Sequence, residues 1–541
     1  MKVRRAKKPK ALKEPKKHTP TFLLELPLMV NQGQAKHVGA HLEAARQLYN
    51  ALLGEAKSRM QRMRADPRWQ EASAIPRSQK QERQVAFSSL RKAYGFSEYA
   101  LHDYAKKARC TWIAVHVDAM MAQTLATRAY RAVNQVCLGK ARRVRFKSKG
   151  RGLDSVENKW TQSGLRFVLQ KPQEGHAGFL LWKEDRLGAL IDWDDPVVKY
   201  GLDHPIKFAR LIRRQASSPR AQGADCAGYR YFVQLALEGV PYHKPKHTVG
   251  TDTIGLDLGP STIAVVPREG KAELRPFCED LRPKGKQRHR LERTLDRQRR
   301  ANNPDHYDEQ GRPKKRGKQA PPWKNSRGYL KTRRRLANQE RKIAAHRKSL
   351  HGQRVHELMK IGNQIRVEKI SYTGWQKQFG RSVGRNAPGM FIELLKRTVA
   401  RTGGTLVEIP TRTTKLSQFC HGCGQTAKKP LWQRWHECQC GIGPVQRDLY
   451  SAFLVAYLNA ADDHPSRARY ESYWESAEPR LRAAREDTEQ RAKEGQILPR
   501  SIGIPGARAR LPKRLEASRQ ELVYRRGRLE ALDRRQEPPV L

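Results

Sequence analysis

The chain has 541 residues, enough for several domains with a real core, and its 108 lysines and arginines against 53 acidic residues give a formal net charge of +55. Such an excess repels itself in a free compact protein. A polyanion is its natural neutraliser, with counterion release making that binding favourable and salt-dependent. No run approaches the roughly 20 apolar residues of a membrane span, and the apolar stretch at 21–30 is short and interrupted by Glu25. Eight cysteines, four of them grouped near the C-terminus, speak for a reduced, cytoplasmic protein with a metal site, not a disulfide framework.

In chain order, 1–18 is a basic, Pro-containing lead-in expected to be disordered alone, and TFLLELPLMV predicts a strand, together filling 1–33. A helical region follows over 34–138, with Val38, Leu42, Ala45, Tyr49 and Leu52 on one apolar face. Between 139 and 248 the segments VRFKS, LRFVLQ, GFLLW, IKFARLIRR and YRYFVQLALE predict a β-barrel or curled sheet. Basic side chains interleave there with Trp160, Phe167, Trp182, Phe208, Tyr229 and Tyr231. Such a mixture can stack on and neutralise single-stranded nucleic acid, although most aromatics of this kind belong in a core.

IGLDLG, TIAVV and AELRPF then read as three consecutive strands within 249–281. The most basic stretch, 282–350, is split by a Pro/Gly/Asn-rich loop. After the loop, Leu336, Ile343 and Leu350 recur every seven residues, predicting one long helix with a wide, phosphate-facing Arg/Lys surface. The strand IRVEKI, a helix over APGMFIELLKRTVARTG and the strand TLVEIP fill 351–415. A cysteine cluster occupies 416–444 and the helix QRDLYSAFLVAYL 445–460. The basic tail 461–541 is Arg-, Glu- and Pro-rich and reads as either RNA-dependent helix or disorder.

Three acidic residues stand out by context. Asp257 lies in the apolar strand IGLDLG, Glu368 in IRVEKI, and Asp448 opens an amphipathic helix. A carboxylate in a core strand is costly unless paired, hydrogen-bonded or bound to cations. As a set they suit two Mg²⁺ ions, one activating water for in-line attack on phosphorus and the other stabilising the leaving oxygen. Cys420, Cys423, Cys438 and Cys440 can supply four thiolates to one structural Zn²⁺, with His421 and His436 near enough to replace a poorly placed thiolate. The second cysteine pair is one residue tighter than the usual knuckle. Cys110, Cys137, Cys226 and Cys278 have no such grouping and read as core.

The order GLDLG, VEKIS, CHGCG, CQCG, QRD resembles the C-terminal half of the TnpB family of transposon-encoded nucleases and their descendants, the compact type V CRISPR effectors. The likeness covers 250–460 well and the N-terminal opening more weakly. It implies an α+β multidomain protein with a split, RNase H-like RuvC domain (249–281, 351–415 and 445–460) and an OB-like wedge β-barrel that the first strand joins. A helical recognition domain, a basic bridging or lid region and a zinc-knuckle insert that binds target nucleic acid complete it.

Carried onto this chain, the catalytic and Mg²⁺-binding triad falls on Asp257, Glu368 and Asp448, and the Zn²⁺ ligands on Cys420, Cys423, Cys438 and Cys440. Arg447 matches the family's arginine beside the scissile phosphate. Gln446 and Tyr450 stand where the family commonly carries Asp and Asn. The expectation is a bacterial, cytoplasmic RNA-guided DNA endonuclease, nucleoid-associated when bound to DNA. Its partners would be a guide RNA and a target duplex with a short flanking motif. The alternatives are an RNA-guided binder that silences by occupancy with weak or absent cleavage, an RNase H-like transposase, and a structural RNA-binding protein.

Overall fold

A computed structural model describes residues 19–149, 152–170, 177–216, 225, 228–279, 281, 285–314, 321–430, 432–458, 467–496 and 498–503. The chain forms two compact units, 1–243 and 244–541. The lead-in 1–18 and Cys226 lie outside the described residues. No described helix is long and apolar enough to cross a membrane.

The first unit pairs helices with one antiparallel sheet. Its strands are β1 (Thr21–Met29), β2 (Ser155–Glu157), β3 (Arg166–Leu169), β4 (Gly178–Trp182), β5 (Asp185–Ala189), β6 (Ile206–Gln215) and β7 (Tyr229–Glu238), in the order β2-β6-β7-β1-β5-β4-β3. The first strand therefore sits mid-sheet, eight residues of it in register with β7. Its side chains alternate, Leu24, Leu26 and Leu28 inward and Leu23 outward, the period of a half-buried strand. The helix Gln32–Ala65 starts at an Asn31–Gln34 capping box and buries Val38, Leu42, Ala45, Tyr49 and Leu52.

Of the two expected forms, closed barrel or curled sheet, the second is found, and one expected strand does not form. The end strands β2 and β3 are not paired with each other, so the sheet is a half-barrel and not a closed one. The segment VRFKS forms no strand. At its Lys147 the backbone bonds helix side chains instead: the N–H donates to Asn50 (2.9 Å), and the carbonyl accepts from Asn50 (2.8 Å) and Arg46 (2.7 Å). Of the six aromatics singled out, Phe167, Trp182 and Tyr231 are core, while Trp160 is exposed. Phe208 and Tyr229 are half-buried beneath Arg210 and Arg213.

The second unit is built on β8 (Thr253–Leu258), β9 (Thr262–Pro267), β10 (Glu273–Pro276), β11 (Gln364–Lys369) and β12 (Thr405–Pro410), ordered β10-β9-β8-β11-β12. Strands β8, β9 and β10 are antiparallel neighbours, whereas β8, β11 and β12 run parallel. Parallel neighbours need crossovers, and the helix Pro388–Arg401 supplies the one between β11 and β12. One face buries Ile254, Leu256, Val265, Ile365 and Val367 against the helices Arg327–Ile361 and Pro388–Arg401. The other buries Ala264 and Val266 against the helices Arg447–Tyr457 and Arg467–Lys493. Cover on both faces explains why these strands read as apolar runs.

Arg327–Ile361 is one 35-residue helix, as the heptad of Leu336, Ile343 and Leu350 predicts, and those three are only half-buried. Its partner is the basic helix Gly285–Asn302, joined to it by an Arg288–Glu340 ion pair (3.1 Å). The loop between them is pinned where Trp323 stacks on His306 (4.1 Å between ring centroids) under Arg299. Part of the tail is helical, the first of the two forms expected of it. The helix Arg467–Lys493 buries Tyr470, Trp474, Ala477, Leu481 and Ala484, a helical stripe carried mostly by small and aromatic residues amid Arg and Glu. Residues 504–541 lie outside the described residues.

The helix Arg447–Tyr457 lies directly on β8 because Gly255 has no side chain. A Cβ there would stand 2.0 Å from the Ala452 carbonyl oxygen and 2.6 Å from the Ala456 nitrogen. Gly255→Ala is therefore expected to lift the helix and cost about 1–3 kcal/mol. A chemical-denaturation midpoint equal to wild type would contradict this packing.

Candidate carboxylate cleft and four-cysteine centre

The pairing of β8 with β11 sets Leu256 opposite Val367, and the next residue along each strand is Asp257 and Glu368. They lie abreast on adjacent strands and share the sheet face of Gly255, two residues before Asp257. On the helix above, Asp448, Ala452 and Ala456 recur every four residues and form one stripe. Ala452 and Ala456 rest on Gly255, so Asp448 sits one turn further along that stripe. All three carboxylates line one cleft of about 1000 Å³, together with Arg447, Arg434, Lys428 and Lys429.

Their electrostatics reflect crowding. Burial pushes the Asp257 carboxyl well above the usual range, and the charges of Asp448 and Glu368 push it further, against the pull of Arg447 and Arg434. Burial raises Glu368 to about 7. Asp448 is raised by burial as well, opposed by Arg447 and Arg434 and by a hydrogen bond from Gln446. Its place in the first turn of a helix also favours negative charge. Three mutually repelling, partly desolvated carboxylates suit hard divalent cations, which take oxygen ligands and neutralise the cluster.

Arg447 borders Asp448, its Nε 3.7 Å from Oδ1, and donates to the Gln433 carbonyl (2.9 Å). Gln446 is the N-cap of the helix. Its side-chain oxygen accepts from the Leu449 N–H (2.8 Å), while its amide donates to the Ile502 carbonyl (3.3 Å). Tyr450 points to the far side of the helix, stacked on His436.

The sulfurs of Cys420, Cys423, Cys438 and Cys440 all lie within 4.8 Å of one another, with Cys420–Cys440 and Cys423–Cys438 at 3.5 Å. A zinc tetrahedron with arms of about 2.3 Å has edges of roughly 3.8 Å, so the four thiols fit a structural Zn²⁺. The short second pair is accommodated by a turn in which the Gly441 N–H donates to the Cys438 carbonyl (3.1 Å) and Gly441 takes φ +93°. Neither His421 nor His436 joins the cluster. The first meets the Tyr450 hydroxyl and the second meets the Lys429 ammonium. Elsewhere Cys137 and Cys278 are buried, whereas Cys110 is exposed and not core.

Sequence reasoning missed Arg434, Lys428 and Lys429 as cleft residues. All three come from the cysteine segment, and in a chain with 108 basic residues nothing local marks them.

No protein-family model matches the chain, and no curated protein does. Among solved structures, the chain is similar to a Cas12f1–sgRNA–target DNA complex. Identity is 11%, with 81% of this chain and 99% of that one covered, at a TM-score of 0.37. It is also similar to a CRISPR-Cas12f ternary complex, at 11% identity, with 78% and 82% covered and a TM-score of 0.25.

The raised carboxyls carry a stability signature. A carboxyl whose folded pKa exceeds its unfolded value stabilises the protein fully below the unfolded value, and that stabilisation is lost as pH rises through the folded one, near 7 for Glu368. Without divalent cations, wild type is expected to lose stability relative to Glu368→Gln as pH rises from about 4.5 to about 7. Mg²⁺ should close the gap. Parallel pH–melting curves for the two proteins would refute the crowding.

Proposed function

We propose that this protein is an RNA-guided DNA endonuclease. The observation that carries the reading is the meeting of three carboxylates, from strands and a helix nearly 200 residues apart in the chain, in one cleft walled by Arg447, Arg434 and Lys429. The strand order β10-β9-β8-β11-β12, three antiparallel then parallel, supports an RNase H-like core split as the resemblance implies. A net charge of +55 and the basic helix pair suit a guide RNA and its DNA duplex.

In this reading Asp257, Glu368 and Asp448 hold Mg²⁺, which when bound activates water and stabilises the leaving 3′-oxygen. Arg447 and Arg434 draw the scissile phosphate to the carboxylates and offset its charge. The four-cysteine segment, closed by Zn²⁺, keeps that basic wall in place. Target sequence would be read by RNA–DNA pairing, with protein reading only a short flanking motif.

One observation favours the occupancy-only alternative. Gln446 and Tyr450 serve as a helix cap and a packing residue, so the cleft gains no further acidic ligand from either position.

The deciding experiment purifies the protein with its co-purifying RNA, sequences that RNA, and incubates the complex with matched duplex and Mg²⁺. Nicking is expected. Asp257→Asn, Glu368→Gln and Asp448→Asn should each lower it at least about 100-fold while target binding persists. Duplex affinity should also fall by about 10³ or more between 50 and 200 mM salt. Tight binding without nicking by wild type would assign occupancy instead, and absence of bound RNA would end the guided reading.

A further inference from the structure

Tyr450 follows Asp448 by two residues, about 200° around the helix. Asp448 therefore faces β8 while Tyr450 faces the cysteine centre. Its ring is 1% exposed, stacked on His436 with centroids 4.2 Å apart and planes 18° apart. Its hydroxyl accepts the His421 backbone N–H (3.0 Å) and meets His421 Nδ1 at 2.7 Å. His421 adjoins Cys420 and His436 precedes Cys438 by two residues, so one tyrosine touches both arms of the tetrathiolate site.

The second arm also joins the helix start by backbone. The two-residue strand β13 (Trp435–His436) pairs with β14 (Val445–Gln446), and the Arg447 N–H donates to the Arg434 carbonyl (2.9 Å). A helix's first turn has no intrahelical partner for its N–H groups, so its position is set by whatever caps and packs against it. Here the cysteine segment shares that role with the Gln446 cap and the β8 contact at Gly255. The arms themselves have little regular structure of their own, and four thiol groups are weak hydrogen-bonding partners.

We propose that the four-cysteine centre is a positioning element for the carboxylate cleft, with Tyr450 carrying the order imposed by Zn²⁺ on the thiolates to Asp448. The divalent-cation affinity of the cleft then depends on zinc occupancy. This rests on the reading of Asp257, Glu368 and Asp448 as a divalent-cation site. Tyr450 stands where the resembled family commonly carries Asn, so the link belongs to this chain's own residue. Linkage makes the effect reciprocal: a cation in the cleft must tighten zinc by the same factor that zinc tightens the cation.

The test uses the full chain and Mn²⁺ as the probe, followed by electron paramagnetic resonance, with zinc measured by elemental analysis. Stripping zinc from wild type should weaken Mn²⁺ binding at least about tenfold, within the usual range of site coupling. Tyr450→Ala should keep its zinc, bind Mn²⁺ comparably weakly, and no longer respond to zinc removal. Tyr450→Phe keeps the stack, loses the hydroxyl contact, and should fall between. Mn²⁺ should also slow zinc loss to a chelator in wild type and not in Tyr450→Ala.

Equal Mn²⁺ affinity with and without zinc in folded wild type would overturn the coupling and leave the cleft reading standing. So would undiminished affinity in zinc-loaded Tyr450→Ala. If stripping zinc unfolds the chain, the zinc-loaded Tyr450→Phe and Tyr450→Ala proteins decide by the same comparison. A wild type with no Mn²⁺ site sensitive to Asp257→Asn would instead remove the cleft reading, and the coupling with it.

Discussion

A missing methyl group governs the second unit. At Gly255 the backbone of β8 touches the backbone of the helix Arg447–Tyr457, and no other residue permits so close an approach. That contact sets the height of the helix above the sheet, and hence where its first turn ends. The opposite end is held by Arg366 and Arg268, which donate to carbonyls at Ala456 and Leu458. Arg366 is two residues before Glu368 on the same strand face, so one strand both anchors the helix and contributes a carboxylate beneath it.

The cleft that results is unfavourable for the metal-free protein. Three acidic groups share a space from which much of the water is excluded, and each ionisation makes the next harder. The arginines and lysines of the cysteine segment offset part of that cost. They also create what a phosphodiester needs, a positive wall beside a negative floor. A site of this kind is most stable when filled, which is why its chemistry and its energetics point to the same ligands.

The sequence shows some of this and hides the rest, for physical reasons. A carboxylate flanked by aliphatic residues in a strand is conspicuous because burying it is expensive, and cysteine spacing is conspicuous because metal geometry demands it. The mid-sheet strand at 21–29 is visible as a period-two run. The half-barrel is not, because whether a sheet closes depends on edge pairing between β2 and β3, short strands of three and four residues. VRFKS has a strand's composition, yet its hydrogen bonds go to Asn50 and Arg46, a long-range outcome that local propensity cannot encode. The helix in the tail is masked by its Arg and Glu content, since Ala477 and Ala484 add little to a hydropathy pattern yet are buried in the core of the second unit. Arg434 and Lys429 were hidden by abundance.

The helix Arg467–Lys493 also bears on how the molecule comes into being. Its Tyr470 and Trp474 cover Tyr450 and Phe453, and the Ile502 carbonyl accepts from the cap residue Gln446. A ribosome delivers β8 and β11 long before these pieces. Until residues 447–502 follow, Asp257 and Glu368 lack the helix that carries Asp448. The acidic centre is therefore completed only after both of its strands have been made.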